Sequence, residues 1–250
     1  YQFHLYPLAQ LEIGEDENYA ETVQHLDERL IFGSYPEVFQ FSTYQEKSVY
    51  LQQLVQSYLL KDILAYDGIR NSDKIIRLLR LIAFQTGREV SYTELGTQLG
   101  MSKNTVENYL DLLSRVFIIH RLPAYSTNPR KEISKGSKWY FYDNGIRNAI
   151  INDFRLPALR NDMGSLWENY LLAERIKKNA YQEKNVQYYF WRNYNQQEVD
   201  LIELTNGEIN GFEFKFTTDK KTKVPPAFSA FYKDASYTVI SKENYLDWIL

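Results

Sequence analysis

The chain contains no cysteine, so it can build neither a disulfide nor a zinc–thiolate site. Histidine is scarce as well: His4, His25 and His120 are scattered, which argues against a histidine metal centre or a Ser-His triad. No glycine-rich phosphate loop occurs in the 250 residues, so they cannot supply a P-loop nucleotide site. No apolar run is long enough to span a bilayer and no signal peptide is visible, so a cytoplasmic protein without a membrane partner is expected. There is also no excess of one charge. The net charge is −3, and any contact with nucleic acid must come from local patches.

What is present suffices for one large core or two to three small ones, with 44% hydrophobic residues and aromatics at 16%. The most informative stretch is Glu198–Phe216. Two alternating runs flank Asn206-Gly207, the residue pair best suited to a two-residue hairpin loop. Such a loop pairs Thr205 with Glu208, Leu204 with Ile209, Ile202 with Gly211, Asp200 with Glu213 and Glu198 with Lys215. Strand period two puts Asp200, Glu213 and Lys215 on one face. Val199, Leu201, Phe212, Phe214 and Phe216 take the other. Carboxylates directly opposite each other lie about 5 Å apart at Cβ and repel. A hard cation such as Mg²⁺ (or Mn²⁺), with oxygen ligands at about 2.1 Å, would relieve that repulsion. Lys215 could then orient a water or offset phosphate charge. The same pattern also fits the solvated face of an edge hairpin. A bulge at Asn210-Gly211 would move Asp200 off that face.

The remainder reads as three units. Tyr1–Leu8 alternates like a strand without its neighbours, as the end of a larger unit would, and the chain opens without methionine as a fragment would. A short helix over 20–31 follows, then a helix opened by the capping box Thr43-x-x-Glu46, together resembling a helical lid. The second unit starts near Ser72. An apolar helix ends at Gly87, a second is capped by Ser91, and a third carries Val106, Tyr109, Leu110 and Leu113. Strand-like runs over 116–122 and 138–142 enclose a basic loop with Arg130, Lys131 and Lys135. Three helices and a two-stranded wing make a winged helix-turn-helix. Its third helix exposes Lys103, Asn104 and Asn108 beside Glu107 and Asp111, an acidic mixture that suits phosphate poorly, so DNA contact and protein docking both stay open.

The third unit begins with a helix carrying Trp167, Tyr170 and Leu171. Glu168 in it is either a site residue or the last member of a capping box, Ser165-x-x-Glu168. A strand over 186–192, the hairpin, a helix from Pro225-Pro226, a strand over 236–241 and a helix over 244–250 complete it. Lys215, Lys220, Lys221 and Lys223 form either a solvated charge run or a phosphate-attracting rim.

Glu168, Asp200 and Glu213-Phe214-Lys215, in that order of elements, resemble the PD-(D/E)xK nuclease superfamily. The wider chain resembles prokaryotic AAA-family ATPases with a C-terminal DUF4143 domain. Gly33-Ser34-Tyr35-Pro36, Lys138–Ile146, Trp167-Glu168-Asn169-Tyr170, Phe190-Trp191-Arg192, Glu198-Val199-Asp200 and Glu213-Phe214-Lys215 carry that resemblance. It implies a multidomain α+β or α/β chain: the end of an ATPase core and a helical lid over 1–70, a winged helix and connector over 71–160, and a restriction-endonuclease-like αβββαβ domain over 161–250. It implies an ATPase core upstream in the same chain, where ATP would bind. It implies Asp200, Glu213 and Glu168 as metal ligands, with Lys215 and Glu168 in catalysis. Lys220, Lys221, Arg130, Lys131 and Lys103 are the candidate DNA contacts. The alternative is a non-catalytic DNA- or protein-binding module, with an exposed aromatic surface at Tyr188, Tyr189, Tyr194, Phe231 and Tyr232.

Overall fold

The computed structural model describes residues 5–59, 72–126, 136–217 and 222–250. Helices α1 Gln10–Ile13, α2 Tyr19–Gln24 and α3 Leu26–Phe32 open it. No strand occupies 5–8, and residues 1–4 of the expected strand lie outside the described residues. Leu8 instead donates its single backbone bond to Ser34 O at 2.9 Å. Helix α4, Tyr44–Leu54, starts where Thr43 and Glu46 satisfy each other's backbone N–H groups. It continues as a wider turn over Val55–Leu59.

Helices α5 Ser72–Phe84, α6 Tyr92–Leu99 and α7 Lys103–Arg115 follow. Ser91 and Ser102 cap the last two by accepting from Glu94 N–H and Thr105 N–H. Their apolar stripes, including Leu79, Ile82, Leu95, Val106 and Leu110, meet in one core. Strands β1 Glu89–Val90, β2 Ile119–Pro123 and β3 Ser137–Phe141 form an antiparallel sheet in the order β1-β3-β2.

Strand β3 is buried along its length, and β1 covers only Ser137 and Lys138 on one side of it. Further along, a side chain supplies what a strand would. Asn169 accepts from Phe141 N–H at 2.6 Å and donates to Phe141 O at 3.0 Å. It comes from helix α9, Met163–Tyr181, and also donates to Asn144 Oδ1 at 2.7 Å. Asn144 begins helix α8, Asn144–Ile151, and donates to Leu30 O and Leu166 O. Asn148 donates to Ile31 O. Direct hydrogen bonds from buried amides thus join the end of α3, the sheet, α8 and α9.

A second sheet has the order β4-β5-β6-β7: Gln187–Arg192, Glu198–Thr205, Glu208–Phe214 and Ser236–Ile240. Its last pair is parallel, and helix α10, Pro226–Phe231, crosses between them. Helix α11, Tyr245–Ile249, ends the chain. One sheet face presents Leu201, Phe212 and Phe214 to the main core with Trp248. The other packs Trp191, Val199 and Ile202 on Phe228 of α10. The described residues thus form a mixed α+β chain with two small sheets.

The hairpin turns at Asn206 (φ 52°) and Gly207 (φ 87°), and its register contains Thr205–Glu208, Leu204–Ile209 and Ile202–Gly211 as expected. There is no slip at Asn210-Gly211. The irregularity lies in β5, where Tyr189 and Trp191 of β4 face Ile202 and Val199, so three steps on β5 match two on β4. Val199 therefore lies with Ile202 on the α10 face, not with Leu201 and Phe212. The expected Glu198–Lys215 pair is also absent. Glu198 pairs with Arg192 of β4, while Lys215 lies past the end of β6 and donates its backbone N–H to Ile240 O.

Asn169→Ala would leave both backbone groups of Phe141 unpaired in a buried strand. A loss of about 3 kcal/mol is expected, read as a lower urea midpoint with an unchanged slope. A midpoint within error of wild type would show that the amide is dispensable.

Candidate active site

Glu168 lies in the second turn of α9. The capping-box alternative for it fails, because the helix starts earlier, at Met163, with Asp162 as its N-cap residue. Glu168 turns inward instead. Its Oε1 accepts from the Tyr140 hydroxyl and lies 3.3 Å from Lys138 Nζ. Its other oxygen faces Gly87. A Cβ there would come within 3.1 Å of Oε2, and the backbone at Gly87 has φ 77°, so only glycine suits both space and conformation.

The β5 irregularity places Asp200 beside this carboxylate. The hairpin ladder runs as far as Leu201–Phe212, after which the Phe214 N–H donates to Asp200 Oδ2 at 2.8 Å. The sheet therefore opens where Asp200 sits, as bulges often do when they re-aim a functional side chain. Glu213 follows on β6, and its Oε1 lies 2.6 Å from Lys215 Nζ. Burial, then the charges of Glu168 and Glu213, push the Asp200 carboxyl well above the usual carboxylate range. Lys138 and the Phe214 N–H only partly oppose this.

Two residues from the first sheet complete the cluster, and neither was among the expected site residues. Lys138 and Tyr140 alternate along β3 and both reach Glu168. Lys138 also pairs with Glu198, which in turn lies 3.5 Å from Arg192. Burial works against the Lys138 charge, but Glu168, Asp200 and Glu198 outweigh it and hold the ammonium above its usual range. Tyr140 is raised well above an ordinary phenol by burial and by Glu168. Lys215 is raised too: its partial burial is outweighed by the bond to Glu213 and by the charges of Glu213, Asp200 and Glu168. Lys138 and Tyr140 were visible in the Lys138–Ile146 stretch that carries the family resemblance and in their period-two spacing, but not as site residues. Nothing local told which element that face would meet.

The donors here are hard oxygens, as Mg²⁺ or Mn²⁺ requires. Among the described residues, no three His, Cys, Asp or Glu side chains form a group placed to hold a metal ion. The cluster therefore fits an ion with two protein carboxylates at most, the rest of its shell being water or phosphate. Asp200 and Glu213 suit that role. The bonds above engage Oδ2 of Asp200 and Oε1 of Glu213 and leave a second oxygen on each outside them. Glu168 has Oε1 held by Tyr140 and Lys138, while its Oε2 faces Gly87. No described histidine joins the cluster: His120 packs against Tyr142 and Tyr188, and burial lowers it to about 4.

Of the candidate DNA contacts, only Lys103 is described, and it is not part of this cluster. Lys103 is exposed in the first turn of α7. Arg130, Lys131, Lys135, Lys220 and Lys221 lie outside the described residues. The expected aromatic surface is mostly interior packing. Tyr189 and Tyr232 pack around Trp191 and Phe228, and Tyr188 packs on the main core. Tyr194 and Phe231 alone of the five are exposed.

Residues 23–156 match the family described as a domain of unknown function, DUF8612, and residues 163–246 match another such domain, DUF4143. An uncharacterized protein of Mycobacterium tuberculosis is 28% identical over 189 residues, which is 74% of this chain and 42% of the relative. One from Methanocaldococcus jannaschii is 26% identical over 221 residues, 86% of this chain and 47% of the relative. One from Haemophilus influenzae is 22% identical over 160 residues, 60% of this chain and 40% of the relative. The chain spans less than half the length of each of these. No solved structure matches. No described helix is long and apolar enough to cross a membrane.

The raised Asp200 carboxyl has a consequence for stability. Native Asp200 holds its proton more tightly than the unfolded chain, where the value is near 3.8. Its stabilising contribution is therefore complete at low pH and is lost as pH rises. Asp200→Asn, measured in EDTA, is expected to melt above wild type near neutral pH, with the gap closing as pH falls to about 4. Parallel melting curves at every pH would count against a strained carboxylate.

Proposed function

The chain belongs to the DUF8612 family and carries a DUF4143 domain; from that premise we propose that the Asp200 cluster is a Mg²⁺- or Mn²⁺-dependent phosphodiesterase site acting on DNA. The observation that carries this reading is the Asp200 carboxylate itself. It is drawn out of the sheet ladder and set against Glu168 and Glu213 beside a lysine. A like-charge cluster costs stability and persists where function uses it. A bound divalent ion would polarise a phosphate and activate a water.

In this role Asp200 and Glu213 hold the ion, and Glu168 completes the site through a water. Tyr140 and Lys138 fix the Glu168 carboxylate in place. The Lys215 ammonium, bonded to Glu213 and 40% exposed at its side chain, is placed to orient the attacking water or offset charge on the phosphate. The preceding helices and first sheet act as a winged helix, following the helical lid. Lys103, with Arg130, Lys131, Lys220 and Lys221, would contact the DNA backbone. We assign an AAA-family ATPase core, with its ATP, to length that the longer relatives have beyond this chain.

A second reading is supported by the lysines. Lys138 and Lys215 already offset much of the acidic charge, as they would in a non-catalytic module that docks the ATPase to DNA or protein.

Calorimetry with Mn²⁺ is expected to show binding to the wild-type protein and none to Asp200→Ala. Cleavage of a mixed set of DNA substrates should accompany it. Lys215→Ala should keep the ion and lose about a hundredfold or more in cleavage rate. Salt-dependent DNA binding without ion binding or cleavage would move the conclusion to the docking module.

A further inference from the structure

Lys138 is 3% exposed at its side chain, and its ammonium lies 3.3 Å from Glu168 Oε1 while also pairing with Glu198. The charge rests 5.3 Å from the Phe190 ring centroid, while the other lysine of the cluster, Lys215, is bonded to Glu213. Its position is preset. Lys138 pairs through its backbone with Glu89 on one side and Leu122 on the other, in a strand further fixed by Asn169. The ammonium is thus a cation delivered by the first sheet into carboxylates of α9 and β5. A hard divalent ion would seek the same oxygens. An ammonium and an ion cannot share that space, since both are positive and the ammonium itself is buried.

We propose that the Lys138 ammonium fills the place of a second divalent ion, so that the cluster takes a single ion, on the Asp200–Glu213 side. This inference rests on the divalent-ion reading above, which it refines. Lys138 is a positioning residue here: it holds Glu168 and neutralises it, and does not touch the scissile phosphate.

The test replaces the lysine and counts ions. Wild type is expected to bind one Mn²⁺, by calorimetry and by electron paramagnetic resonance. Lys138→Met should bind two. Without metal the variant should melt lower than wild type, because Glu168 and Glu198 lose their counter-charge. Millimolar Mn²⁺ should restore it, while sodium chloride of equal ionic strength should not. Lys138→Gln, which keeps a donor for Glu168 without the charge, should behave likewise if the methionine variant does not fold. One ion in both wild type and variants, with no selective rescue by Mn²⁺, would overturn the role of Lys138 and leave the ion site standing. Two ions in wild type would overturn it as well. No ion in any of the proteins would remove both conclusions.

Discussion

A lysine that loses its water must find negative charge inside the protein, and that requirement organises this molecule around Lys138. Burying an ammonium costs several kcal/mol unless carboxylates surround it at good geometry. Those carboxylates come from far along the chain, Glu168 on α9 and Glu198 on β5. Neither the first sheet nor the second can therefore be correct by itself. The first would hold an uncompensated cation and the second an uncompensated group of acids. The electrostatics that make a chemical site possible also join the two sheets.

Buried amides give the same junction its geometry. Asn169 takes the place of a missing strand beside β3, and Asn144 and Asn148 receive the carbonyls where α3 ends. Charge alone would tolerate an ångström of slack. Hydrogen bonds to fixed backbone groups tolerate far less. Positioned in this way, Lys138 and Tyr140 meet Glu168 from a rigid strand, as a functional constellation requires.

Local signals in the sequence were followed closely wherever local forces decide. The Asn206-Gly207 turn, its pairs up to Ile202–Gly211, and the caps at Thr43, Ser91 and Ser102 all depend on residues within a few positions of one another. Departures arose where distant partners decide. The Ser165 capping box looked sound, but the helix begins earlier, at Met163, and Asp162 beside it pairs with Arg147 and Arg160. Alternation placed Val199 with Leu201, but the mismatch against β4 turned it toward Phe228. Asp200, Glu213 and Glu168 were visible as types in order. Lys138 and Tyr140 were not visible as their partners, since 30 and 28 residues separate them from Glu168.

The short segment before α1 carries a consequence for how the chain is made. Gln10 donates its backbone N–H to Glu174 across 164 residues, and Lys177 donates to Leu8 O across 169. The Ser34 N–H waits for Asp143, 109 residues later. A nascent chain leaving the ribosome would present these segments long before the helix that receives them. Loop closure over such spans is slow compared with helix formation. The segments around α1 and Ser34 would therefore remain unsatisfied until α9 is synthesised.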